Sequence, residues 1–165
     1  MQNVPIVSIA RQEYGCLVYD VPIDNKKAYH QIRHVLRKMA LPINLSVYLI
    51  PWGLQGQVAK LLQDKVTYSC DIRFIKFDSS SIELLTSQVE ASMQKLIGGI
   101  IKRINERVDV VKALDSTKKY AFKYDIEQKI SAVEALTVIF GITQDIQNAL
   151  LAVKALYKLE VEVLA

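Results

Sequence analysis

The sequence predicts an α+β protein, and three observations carry that prediction. A short apolar run at 16–19 ends at Asp20 and Pro22, and is followed by a stretch of helical periodicity and a β-rich run at 45–50. Further on, 71–77 places Ile72, Phe74 and Ile75 among polar Arg73 and Lys76, a pattern that fits a strand. Beyond it, Ile82, Leu85, Val89, Met93, Leu96, Ile100, Ile104 and Val108 recur every three or four residues, the spacing of one long helix. Strand–helix–strand, then helix, strand and long helix, is one route through a ferredoxin-like sandwich. A C-terminal helical hairpin is added to it.

Each element has its own local reason. Residues 4–10 (VPIVSIA) are expected to form an edge strand or an ordered tail. The run at 16–19 stops because proline lacks the N–H a ladder needs and pushes Val21 toward extended backbone. Asp24 or Asn25 is placed to cap a helix over 26–40, which Pro42 closes. The strand at 45–50 ends in the turn Pro51-Trp52-Gly53, and Val58, Leu61 and Leu62 mark a short helix over 55–63. A strand over 66–77, bent near Ser69 or Asp71, leads to Ser80-x-x-Glu83, the reciprocal capping pattern of a helix start. Gly98-Gly99 in the long helix predicts either a second helix packed closely there, the favoured reading, or a bend in the helix. Residues 115–119 (DSTKK) predict a linker, and Asp125 with Gln128 a new capped helix that Gly141 ends. Thr143 then restarts a helix running to about 159. Ile126, Ile130, Val133, Leu136 and Phe140 would face Ile146, Leu150, Val153, Leu156 and Tyr157 in an antiparallel hairpin. The expected organisation is a sandwich domain over 1–110 and a hairpin extension over 111–165, packed on that domain or on a partner subunit.

The chain has 165 residues, 51% of them hydrophobic, enough to bury a core without staples. A formal charge of +4 and a pI near 9.0 admit an acidic partner without requiring one. Cys16 and Cys70, the only cysteines, stand far apart in predicted strands and read as reduced thiols. No stretch reaches the roughly 20 apolar residues of a membrane span, and the first residues lack the pattern of a signal peptide. A soluble, cytoplasmic protein without a membrane partner is expected.

The helix over 26–40 separates its chemistry by face. At about 100° per residue, Ala28, Tyr29, Ile32, Val35, Leu36 and Met39 fall in one arc. Lys26, Lys27, His30, Arg33, His34, Arg37 and Lys38 fall in the other, with no acid among them. Such a stripe would follow phosphates with salt-sensitive, sequence-independent affinity. Its simpler reading is a solvated outer face. His30 and His34 have the one-turn spacing of two metal ligands, but Gln31 stands where a zinc protease needs glutamate. Tyr29 and Tyr48 read as core residues, and Trp52 as an interface candidate.

Val18-Tyr19-Asp20-Val21-Pro22, the basic helix, Ser46-Val47-Tyr48-Leu49-Ile50 and Asp71-Ile72-Arg73-Phe74 together resemble the small CRISPR-associated integration-subunit family, whose fold the virulence-associated toxins share. The segment from Ser46 to Pro51, with the long helix after the last strand, also resembles the N-terminal domain of chromate-resistance regulators. The similarity covers about 14–108. The first resemblance implies that Asp20, at the end of the first strand, binds a divalent metal (Mg or Mn) for phosphodiester cleavage, two such aspartates sharing it across a dimer. The simpler reading is that Asp20 satisfies backbone N–H groups of its loop. The helices after 110 depart from that family's pattern.

Three functions follow as expectations. The first is a non-catalytic, dimeric protein that binds nucleic acid, or regulates an assembly that does, through the basic helix face, without a cofactor. The second is a metal-dependent nuclease using Asp20. The third is a scaffold or assembly subunit in which 125–160 meets a protein partner.

Overall fold

A computed structural model describes residues 13–22, 24–66, 70–78 and 82–164. It is a mixed α+β fold with a four-stranded antiparallel sheet and five helices. The order is β1 (Tyr14–Asp20), α1 (Lys26–Leu36), β2 (Leu41–Asn44), β3 (Val47–Pro51), a single 3₁₀ turn (Trp52–Leu54), α2 (Gln55–Lys65), β4 (Asp71–Lys76), α3 (Ile82–Lys112), α4 (Ser116–Phe140), α5 (Gln144–Leu156) and a π-helical turn (Tyr157–Val161). In space the strands run β2-β3-β1-β4, so the first strand is central.

Alternation along the strands assigns each face its helices. Leu17 lies opposite Tyr48 on one side and Phe74 on the other. With Tyr19 and Ile50 these residues join Ile32 and Leu36 of α1 and Val58 and Leu62 of α2 in one core cluster. The opposite face presents Tyr14, Leu41 and Leu49 to a larger cluster drawn from α3, α4 and α5, including Met93, Ile104, Ile126, Leu136, Phe140 and Val153. Tyr14 stacks on Phe140, centroids 6.0 Å apart and planes within 13°. Its hydroxyl is buried and has no hydrogen-bond partner among the described residues.

Gly15 of β1 is a close-approach position. A Cβ there would lie 2.5 Å from the Trp52 ring and 2.6 Å from the Ile75 carbonyl oxygen. Trp52 is therefore seated against the sheet, half-buried, with Lys76 Nζ 6.0 Å from its ring centre.

Several expectations are corrected. The first helix ends at Leu36 rather than near 40, because the chain turns through 37–39 and enters β2 at Leu41. Pro42 does not close that helix; it sits in β2, an edge strand, where proline is tolerated, and a register shift follows it. The β-rich run at 45–50 is the second half of a β2–β3 hairpin whose turn holds Leu45 and Ser46. Residues 115–119 are no linker: the Asp115 side chain accepts from the Lys118 N–H at 3.0 Å and caps α4, which runs unbroken for 25 residues. Asp125 is thus mid-helix and caps nothing. Gly98 and Gly99 face solvent, and a Cβ at either would meet nothing within 4 Å, so no close packing requires them. Ile75 is 51% exposed, although Ile72 and Phe74 pack inward.

Other local readings agree with the structure. Asn25 caps α1, its Oδ1 accepting from the Ala28 N–H at 3.1 Å. Gly141 ends α4 at a φ of 86°, a backbone region that suits glycine, and Thr143 caps α5. Cys16 and Cys70 are free thiols, both pushed above the usual thiol range by burial, with Asp71 adding to the shift at Cys70. Residues 4–10 and the Ser80 end of the proposed capping pattern lie outside the described residues.

Candidate nucleic-acid interface

The site is built from α1 outward. Ala28, Ile32 and Leu36 are fully buried against the sheet, which fixes the rotation of the helix. Lys26, Lys27, His30, Arg33 and His34 are consequently exposed, as is Lys38 in the turn that follows; Arg37 is half-buried. Among the described residues no carboxylate pairs with any of these seven. The first turn of α1 holds two lysines and no acid. That charge opposes the helix dipole at its N-terminus, and like charges one turn apart oppose each other. The helix therefore carries its stripe at a cost to its own stability.

Under the stripe lies a tyrosine cluster. The Arg33 guanidinium sits 5.4 Å from the centre of the Tyr29 ring. Tyr29 and Tyr48 each lie 6.0 Å, centroid to centroid, from Tyr19. The Tyr19 hydroxyl donates to the Leu45 carbonyl oxygen at 2.9 Å, tying β1 to the β2–β3 turn. Burial raises the Tyr19 phenol well above its ordinary value, helped by Tyr48 and Tyr29. Tyr48 is raised by burial too, with the Arg33 charge pulling the other way. Tyr19 and Tyr48 therefore stay protonated beneath the helix. At the far end of the stripe, Arg37 Nη2 donates to Gln128 Oε1 of α4 at 3.3 Å.

Asp20 stands apart from this surface. It is exposed at the end of β1, in register with Asp71 of β4. Asp71 accepts from Arg73 Nη2 at 2.6 Å and Nε at 3.0 Å, so one carboxylate of the pair already faces a cation. Among the described residues no group of three or more His, Cys, Asp or Glu side chains converges on a metal position. A divalent cation would find Asp20 and a carboxylate held by a guanidinium, a poor donor set within one chain. His30 and His34 likewise gain no third ligand among the described residues. No helix among the described residues is long and apolar enough to cross a membrane.

One surface feature escaped the sequence reading. Tyr120 and Tyr124 on α4 are 69% and 52% exposed and stack on each other, 6.5 Å between centroids and 15° between planes. The signal was available in the run Lys118-Lys119-Tyr120-Ala121-Phe122-Lys123-Tyr124, where aromatics alternate with lysines. Comparison of the chain with family models, curated proteins and solved structures gives no match.

Proposed function

We propose that this chain is a non-catalytic, dimeric protein that binds nucleic acid through the outer face of α1, carried on a ferredoxin-like sandwich. The observation that carries the reading is the unpaired stripe. Lys26, Lys27, Arg33, Arg37 and Lys38 share a rigid helix and the turn after it, and none of them meets a carboxylate among the described residues. Cations spread over about 16 Å of helix can follow a phosphate backbone. The element order β1-α1-β2-β3-α2-β4 supports the sandwich assignment. Exposed Val138 and Leu151 on the C-terminal helices support self-association through that layer.

The test is a salt titration of binding to a labelled duplex by wild type and by the Lys26→Glu/Lys27→Glu/Arg33→Glu/Arg37→Glu variant. Wild-type affinity should fall with salt at a log–log slope of about −4.5, from roughly five phosphate contacts. The variant should lose binding altogether. A salt-insensitive affinity, or an unchanged variant, would overturn the reading.

A second reading is a metal-dependent nuclease in which Asp20, exposed at the end of β1, shares a divalent metal with its counterpart across a dimer. It predicts Mg- or Mn-dependent cleavage that Asp20→Asn abolishes.

A further inference from the structure

We propose that Tyr120 and Tyr124 form a base-stacking step that makes single-stranded nucleic acid the preferred ligand of the α1 surface. This deepens, and rests on, the phosphate-binding reading of α1.

Five observations bear on the pair. The two rings are solvent-exposed and nearly parallel, so they offer flat aromatic surface at the protein boundary. They do not belong to the core, because Phe122 and Ile126 take the buried side of α4. They are set among lysines: Lys118 is held by Asp115, and Lys123 donates to the Glu162 backbone carbonyl at 2.8 Å. One acid, Glu127, shares their face and accepts from the Tyr157 hydroxyl. Finally, the aromatic step adjoins the stripe: one turn beyond Tyr124 stands Gln128, the residue that accepts from Arg37. From Tyr120 to Gln128 is about 12 Å of helix, so the cations of α1 lead directly onto the stacked pair.

The chemistry of that juxtaposition separates two ligands. Phosphates are common to duplex and single strand, and a stripe of cations attracts both. A duplex hides its base faces in its own stack, whereas an unpaired base presents a π-face that an aromatic side chain can cover, whatever the base. A strand whose phosphates track α1 would reach Tyr124 and Tyr120 with its next bases. An apolar protein-docking patch would instead surround the rings with large aliphatic side chains, and here the neighbours are exposed Thr117, Ala121 and Glu127 and half-buried Lys123 and Gln128.

The experiment compares wild type, Tyr120→Ala/Tyr124→Ala and Tyr120→Phe/Tyr124→Phe by fluorescence anisotropy. The probe is one labelled DNA strand of about 20 nucleotides, alone and annealed to its complement. Thermal melts check that both variants fold, as exposed positions predict. The alanine pair should weaken single-strand binding about 10- to 100-fold and leave duplex binding within about twofold, while the phenylalanine pair, which keeps the rings, should bind like wild type. The salt slope should be the same for all three. Unchanged single-strand affinity in the alanine pair would overturn the proposal, and so would an equal loss on both probes. A change in native mass without a change in affinity would overturn it too, identifying the pair as a contact between copies. Failure of the α1 reading looks different: wild type would bind neither probe.

Discussion

On the α3–α5 side of the molecule cations meet anions. Arg103 and Lys129 converge on Asp125, Lys112 spans Asp109 and Glu160, and Lys154 reaches Glu134. On the α1 side, Lys26, Lys27 and Arg33 have no such partner among the described residues, and two of them crowd the end of the helix where positive charge is least welcome. Both sides use the same residue types at similar exposure, so the difference lies in placement. One layer neutralises its charge internally and contributes packing. The other leaves its charge uncompensated, which makes sense if the compensation arrives from outside.

The largest test of that contrast removes the support beneath each layer. Leu36→Ala and Ile104→Ala each empty a fully buried site and should cost about 2–5 kcal/mol in denaturant melts. Only Leu36→Ala unseats the stripe, so only it should also weaken nucleic-acid binding when both variants are measured folded. Equal binding losses would erase the distinction.

A smaller effect should come from the glycine pair. With open space at both positions, Gly98→Ala and Gly99→Ala should each stabilise by about 1 kcal/mol, additively, without altering binding. The structure does not explain why glycine stands there.

Acid titration probes the neutralised layer. Partial burial opposes ionisation of Asp125, but Lys129 and Arg103 outweigh it and hold the carboxyl below its usual range. The group binds protons more weakly folded than unfolded, so its contribution is full above the unfolded pKa of about 3.9 and disappears as pH falls through the lower folded value. Asp125→Asn should flatten that part of the stability–pH curve and, at neutral pH, cost about 0.5–1 kcal/mol after solvent screening. The smallest expected effect has the opposite sign. Lys26→Gln/Lys27→Gln should stabilise by about 0.3–1 kcal/mol by relieving the helix dipole, whereas Arg103→Gln should destabilise by about 0.5 kcal/mol. Thermal melts at low salt decide the signs.

The strong periodic elements were legible in the sequence for a plain reason. In α1 and α3 the buried arc is unbroken, so Ile32 and Leu36, or Met93 and Ile104, announce their face. The misread segments lack that imprint. Leu41-Pro42-Ile43-Asn44 is an edge strand with a proline and a register shift, and its local chemistry is that of a helix stop. The first turns of α4 are largely exposed, so 116–121 shows no apolar period and reads as a linker. Asp125 looks like a cap because aspartate beside a hydrophobic run usually is one. Here its partners are Lys129, one turn away, and Arg103, 22 residues distant, a pairing only the fold creates. The stripe of the candidate site was readable from residue spacing alone. Its link to Gln128, and the stacked tyrosines beyond, depend on α4 lying beside the end of α1.

The notch that Gly15 leaves for Trp52 has a practical consequence. Trp52 is the chain's sole tryptophan, so its emission reports whether β1 and β4 still enclose it. Far-ultraviolet dichroism, by contrast, is dominated by α3, α4 and α5, which contribute 31, 25 and 13 helical residues. The two optical signals therefore watch opposite sides of the sheet in one unlabelled sample. Superimposable melting curves would mean that both sides dissolve as one cooperative unit, and separated curves would give each its own midpoint.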